Sequence, residues 1–460
     1  MMTRRRIDYR NLIKRDRIHT SLYTDPDILA DEFDKVFHRG WVYVGHAGEI
    51  PNPGDFRLRK IGRQPIIMVR DEQGEVRLLL NRCRHRGSTV CQVEAGNAKT
   101  FRCAYHGWTY RNNGELAGVP YQEGYGGFLR KEEFGLVQVP RMERYRGFIF
   151  GSLSPAGITL DDHLGRPAQE QIDLFVDLSP EAEIQVQAGV HKFDYPANWK
   201  FQLENAMDGY HPNFTHQTFL DMIQEQIGVR PDVFNGNSSG ESRDLGNGHV
   251  MLDYRRYNRE YAERLRSVLP TTPADEDYRA RMIARYGAER TAEILNAGGT
   301  HTLIFPNLIL IGVQIRVPQP VAVDHTEVTL YPTTLKGVSV ELNGARLRGH
   351  EAFFGPAGMG QPDDVEMFAR MQEGIQADLE PWVLIARGMH RERRDEDGTL
   401  VGHATDEVTL RGIWSHYLKV MSVNTAASII SSGRARRVSE NAIGRSAGEP
   451  VSQSPEPVEG

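Results

Sequence analysis

The chain has 460 residues, 39% of them hydrophobic and 25% charged, a globular composition too long for one ordinary core, so two or more domains are expected. A formal net charge of −6 excludes nucleic-acid binding by bulk charge. No run is apolar enough to span a bilayer, and no signal-length apolar run follows the basic start MMTRRRIDYRNLIKRDR, so no membrane partner and a cytoplasmic location are expected.

In chain order, residues 24–39, TDPDILADEFDKVFHR, predict a helix. Thr24 or Asp25 can cap it, Pro26 suits its first turn, and Ile28, Leu29, Phe33, Val36 and Phe37 make one apolar stripe. From about 40 to 155 the pattern changes to short strands, DFRLRKIG, QPIIMVRD, EVRLLLN, KTFRCAY and RGFIFGSL, separated by Gly, Pro, Asn and Asp turns. Asn113-Gly114 is a hairpin signal. Residues 156 to about 430 mix both patterns. HKFDYPANWK and HTLIFPNLILIGVQIRV read as strands, DDVEMFARMQEGIQADLEPWVLIARGM as a long helix broken or ended near Pro381, and 406–421 as a last helix. The segment 431–460, rich in Ser, Gly, Pro and Arg, reads as a disordered tail. The expected fold class is α+β. It comprises an N-terminal helical segment 1–39 packing on the last domain, an all-β domain 40–155, and an α+β domain 156–430 with an antiparallel sheet flanked by helices.

All three cysteines fall within residues 81–108, NRCRHRGSTVCQVEAGNAKTFRCAYHGW, and two of them are paired with histidine as Cys83-x-His85 and Cys103-x-x-His106. Few cysteines in a long chain argue against a disulfide scaffold, and Cys with His in a reducing compartment more often binds metal. A Rieske [2Fe-2S] centre needs two thiolates on one iron and two imidazoles on the other, one of each from each pair. Zinc could use the same residue types, but its histidine sites usually have other spacings. Gly87 and Gly107 suit tight loops around a cluster whose sulfurs need backbone N–H donors. Cys91 fits neither pair and reads as a small core residue.

A second group lies in NWKFQLENAMDGYHPNFTH, residues 198–216, as Asn205-x2-Asp208-x2-His211-x4-His216. Asp208 and His211, three apart, would share a helix face. Two imidazoles and a carboxylate make the facial triad of non-haem Fe(II) oxygenases. By the family resemblance that this motif and the cysteine loops carry, the third ligand comes from a late helix. Asp363 and Asp364, at the start of DDVEMFARMQEG, are candidates, although acids there are common as caps.

NRCRHRG, EAGNAK, CAYHGW and NGELAGVP, with the Asn205–His216 motif, resemble the large (alpha) subunit of Rieske non-haem iron aromatic-ring-hydroxylating dioxygenases over roughly residues 25–425. The resemblance implies Cys83, His85, Cys103 and His106 at a [2Fe-2S] cluster. It implies His211 and His216 at a mononuclear Fe(II), with Asp364 selected over Asp363 by the match of Phe368 and Gln372. It makes Asp208 the carboxylate bridging the two metal centres and Asn205 a neighbour of the iron. Pro212 departs from the pattern and could end or kink a helix there. The two-residue gap between Asn205 and Asp208 is similar to the benzoate-type branch.

The implied activity is cis-dihydroxylation of an aromatic substrate by O2. Electrons from NAD(P)H would come through a separate reductase, with or without a ferredoxin, because no GxGxxG motif follows a strand here. The implied assembly is a homotrimer, or an α3β3 hexamer with a small β subunit. Alternatives are a Rieske monooxygenase or demethylase, and, in another class, a pure electron-transfer protein. Phe214, Phe219, Leu220, Phe305, Leu308 and Phe368 are pocket candidates, and no arginine stands out as a carboxylate clamp.

Overall fold

The computed structural model describes residues 7–232, 235–266 and 271–423. Glycine and asparagine turns cut the first third into short antiparallel strands. Val76–Leu80, Gln64–Arg70, Asp55–Ile61 and Ala95–Asn97 form one sheet in that order. Arg141–Tyr145, Phe148–Ser152 and Val42–His46 form a second, and Thr100–Arg102, Thr109–Arg111 and Leu116–Gly118 a third. The hairpin expected at Asn113-Gly114 joins the last two of these, with Gly114 at φ +98°, where a side chain is disfavoured. A separate core of Phe56, Ile67, Leu79, Phe101, Trp108 and Tyr110 holds Cys83, Cys91 and Cys103.

The rest is built on one antiparallel sheet of nine strands. Its order is His191–Tyr195, His325–Pro332, Gln314–Ala322, Leu308–Ile311, His301–Ile304, His249–Asp253, Glu241–Gly246, Leu400–His403, Arg393–Arg394. Side chains alternate between its faces. Leu303, Ile309, Ile311 and Leu330 enter one core, and Ile304, Leu308, Leu310 and Ile315 the other. The first core also takes in Val42, Ile61, Ile66 and Met68 from the N-terminal sheets, so the described residues up to Met421 form a single compact unit. No helix of the described residues is long and apolar enough to cross a membrane.

Several elements differ from expectation. The 24–39 helix is α-helical over Pro26–Glu32, capped by Asp25, and widens to a π-turn over Phe33–Phe37, which buries Phe33, Val36 and Phe37 together. HKFDYPANWK is a strand only to Tyr195. Asn198 then caps a helix, Trp199–Ala206, by accepting from the Lys200 N–H. The long helix spans Gln361–Gly374 and ends well before Pro381, and Trp382–Leu384 is a strand paired with Arg17–His19. The last helix is Val408–Met421. The expected tail 431–460 lies outside the described residues.

Candidate metal centres

Two loops of like form carry the cysteine–histidine pairs. In the first, Cys83 N–H donates to Ser88 O and Gly87 N–H to Cys83 O. In the second, Cys103 N–H donates to Trp108 O and Gly107 N–H to Cys103 O. Gly87 and Gly107 sit at φ +83° and +72°, which closes each loop in a backbone conformation that other residues rarely adopt. The loops place His85 Nδ1 and His106 Nδ1 3.1 Å apart, close to the separation of two neighbouring imidazole ligands on one first-row metal ion. His85 is stacked on Trp108 at 5.1 Å between ring centres, which fixes its plane. Cys83 and Cys103 are buried while His106 is exposed, so the imidazole end faces solvent and the thiol end faces protein. The Tyr110 hydroxyl lies 3.2 Å from Cys83 Sγ. Two buried thiols behind two paired imidazoles fit the donor set of a Rieske cluster. Cys91 is apart from both loops. Its thiol is buried against Val93 O, and burial raises its pKa.

The second group assembles at the end of the Trp199–Ala206 helix. Asp208 to His211 are in a turn, not on a shared helix face, because the helix stops at Ala206. Pro212 starts a new short helix, Pro212–Thr215, instead of breaking one, since proline lacks only an N–H that the first turn leaves unpaired anyway. The turn still brings Asp208 to His211, with Oδ2 3.3 Å from Nδ1. A carboxylate can only accept, so this ring nitrogen carries the proton and Nε2 is left to face inward.

Asp364 arrives from the first turn of the Gln361–Gly374 helix. Its Oδ1 lies 3.2 Å from His216 Nε2 and 3.6 Å from His211 Nε2. Ligand atoms of His211, His216 and Asp364 all lie within 4.8 Å of one another. Asp363, half exposed, instead approaches the other nitrogen of His216 at 3.6 Å. Asn205 Nδ2 donates to Asp364 Oδ1 at 3.0 Å. Burial pushes the Asp364 carboxyl up, but His216 and His211 more than offset it, so its pKa is lowered and it stands ionised. Two inward nitrogens and an ionised oxygen, with aromatic rings beyond, fit a mononuclear Fe(II).

Neighbouring residues lock this arrangement. Phe368 and Gln372 follow Asp364 at one-turn intervals. Phe368 packs on Tyr195 at 4.9 Å, and Gln372 Oε1 accepts from Asn198 N–H at 3.0 Å, tying the two site helices together. His301 Nδ1 lies 3.1 Å from Ala206 O and joins the sheet to the same corner. Glu204 accepts from Tyr23 and Trp414 at 2.7 and 2.8 Å, and burial lifts its carboxyl to about 7. Behind Asp208 and His211 lies a cavity of about 720 Å³ walled by Phe201, Met367, Phe368, Met371 and Leu384. Of the apolar candidates, Phe219 meets Phe353, which in turn packs on His216 at 4.9 Å. Phe214 is exposed, and Leu308 faces the other core. The sequence reading missed Phe353, His301 and Glu204, and only the aromatic pair FF at 353–354 marked that stretch.

Two thiol–imidazole loops and a separate two-histidine, one-carboxylate group are the donor sets of a two-centre iron oxidoreductase. The Rieske [2Fe-2S] domain family matches residues 40–139, and the ring hydroxylating alpha subunit (catalytic domain) family matches residues 183–422. The chain is 33% identical to the 2-halobenzoate 1,2-dioxygenase large subunit of Burkholderia cepacia over 81% of this chain and 80% of that one. It is 34% identical to the anthranilate 1,2-dioxygenase large subunit of Acinetobacter baylyi over 82% and 81%. The structure is similar to naphthalene 1,2-dioxygenase from Rhodococcus sp. bound to indole, with a TM-score of 0.76 at 27% identity, covering 89% of this chain and 95% of that one. The chain belongs to the Rieske ring-hydroxylating dioxygenase alpha-subunit family, oxygenase components that carry a [2Fe-2S] cluster and a mononuclear iron.

Proposed function

We propose that this chain catalyses cis-dihydroxylation of an aromatic ring, with O2, NAD(P)H and a proton consumed and a cis-dihydrodiol and NAD(P)+ formed. The observation that carries the reading is the His211–His216–Asp364 group set against the aromatic wall of Phe353 and Phe219, in a chain that also holds the Cys83–His85–Cys103–His106 loops. His211, His216 and Asp364 would hold Fe(II), and the four loop residues the [2Fe-2S] cluster. Once bound, these supply O2 activation and one-electron transfer. The protein's own part is positional. Asn205 holds the Asp364 oxygen, Asp208 fixes the tautomer and plane of His211, and the phenylalanines present a flat apolar surface that excludes water. The relatives named for halobenzoate and anthranilate point to a carboxyl-bearing arene as the substrate.

Residues 40–155 would act as the electron-carrying domain and 156–430 as the oxygenating one. A separate reductase, alone or with a ferredoxin, would supply electrons. A second copy of the chain would seat its His85–His106 end in the cavity behind Asp208, in a homotrimer or an α3β3 assembly with a small β subunit. Supporting this, Tyr105 beside His106 is 61% exposed, and the cavity wall includes Leu384, 67% exposed.

The test is turnover by the purified chain with a Rieske reductase under 18-O2. Both product oxygens should carry the label, and iron should reach about three per chain. A singly labelled product, or about two irons, contradicts the reading.

A further inference from the structure

Arg316 lies on an interior strand of the nine-stranded sheet, Gln314–Ala322, third from one edge. It is 1% exposed, its Nε and Nη2 have no hydrogen-bond partner, and it forms no ion pair among the described residues. Burying a guanidinium without a counter-charge is costly, so proteins usually pair it. Its direction follows from strand register. Arg316 is paired with Ile309 on one side and Leu330 on the other. Ile309 is paired with Leu303, and Leu330 with His191. Directly opposed residues share a face. Leu303, Ile309 and Leu330 enter the core that contains Phe368, so Arg316 points to the side where the Asp364 helix packs. Gln314, two residues earlier on that face, is also fully buried, and its amide has no partner.

A row of rings connects Arg316 to the metal group. His216 packs on Phe353 at 4.9 Å, Phe353 on Phe354 at 4.6 Å, and the Arg316 guanidinium lies 5.1 Å from the Phe354 ring centre. His350, 5% exposed, lies with its ring centre 5.5 Å from that of Phe354 and has neither ring nitrogen hydrogen-bonded. Burial lowers the guanidinium pKa to about 10, against the charge of Asp364, which raises it. One end of this aromatic wall is therefore the two-histidine group, and the other is a cation beside two unsatisfied polar side chains.

We propose that Arg316, aided by Gln314 and His350, binds the carboxylate of an aromatic acid substrate and so sets which edge of its ring faces the His211–His216–Asp364 group. This rests on the aromatic-oxygenase reading above and names the residue that selects within it. The guanidinium offers paired N–H donors in the plane a carboxylate requires, and the enclosed setting strengthens the bond relative to water. A neutral arene would leave the cation unpaired, which gives discrimination against it.

The experiment is calorimetric titration of the full-length protein, reduced at its cluster and kept anaerobic, with benzoate, 2-chlorobenzoate and toluene. Wild type should bind an acid at least ~30-fold tighter than toluene, and Arg316→Gln should lose roughly 100-fold or more of acid affinity while toluene changes less than about threefold. Arg316→Lys should lose about tenfold yet still prefer the acid. Melting temperature and visible absorption report whether each variant folds with its cluster. Toluene binding as tightly as the acids in wild type overturns the proposal without any variant. So does Arg316→Gln binding the acids normally, or losing acid and toluene equally. Turnover separates the two readings. If wild type and Arg316→Gln both dihydroxylate benzoate with the same KM, the oxygenase reading stands and the Arg316 assignment falls. If acids bind as expected but no arene is oxygenated, the reverse holds.

Discussion

The Asp208 carboxylate sits 3.3 Å from Nδ1 of His211, while Nε2 of the same ring faces Asp364 at 3.6 Å. One imidazole thus connects an acid that lines the cavity behind it to the acid of the metal group. A carboxylate that accepts from the outer nitrogen of a ligand histidine sets its orientation and basicity.

Asp208→Asn removes the charge and keeps the shape. We expect both metal centres to persist, and turnover to fall by roughly 10- to 100-fold. Stopped-flow kinetics should place the slow step in re-reduction of the mononuclear site by the cluster. Unchanged single-turnover electron transfer would show that the path does not pass through Asp208.

Cys83→Ser and Cys103→Ser should abolish the visible absorption and the rhombic reduced-state EPR signal, because each removes a thiolate that no other residue replaces. Cys91→Ser should keep both signals, since its thiol is buried against Val93 O, away from the loops. A surviving signal in Cys103→Ser contradicts the loop assignment.

Asp364→Ala should remove the mononuclear iron and all turnover but leave the cluster spectrum intact. Its Oδ1 is the oxygen within reach of both histidines. Asp363→Ala should keep most of the iron, because Asp363 meets only the other nitrogen of His216. Iron analysis of the two variants decides, and the reverse pattern would exchange their roles.

Glu204 makes stability depend on pH. Burial raises its carboxyl from 4.5 to about 7, against the pull of the Tyr23 and Trp414 bonds. The folded state therefore holds a proton that the unfolded state releases. That stabilisation is complete below about pH 4.5 and is lost as pH rises through about 7. Glu204→Gln should melt higher than wild type at pH 8 and match it near pH 4.5. Equal melting temperatures at pH 8 would show that the carboxylate is accommodated charged.

What sequence alone determined was what short-range geometry controls. Cys83 with His85 and Cys103 with His106 each need only one tight glycine loop, and the hairpin at Asn113-Gly114 needs only a turn that residue spacing reveals. His211 and His216 are equally local. The helix face expected for Asp208 and His211 is instead a turn, because a spacing of three fits both, and only the end of the helix at Ala206 separates the two. The choice between Asp363 and Asp364 rested on resemblance, since adjacent acids at a helix start look alike in sequence. The packing of Phe368 and Gln372 is what turns one of them inward. Asn205 reaches Asp364 across 159 residues of chain, an approach that depends on how two helices dock on one sheet. The role of Arg316 is hidden in the sequence for the same reason. An arginine in an apolar strand is ordinary until its cross-strand neighbours and the facing helix are known, because a charge is left unpaired by what surrounds it and not by its own place in the sequence.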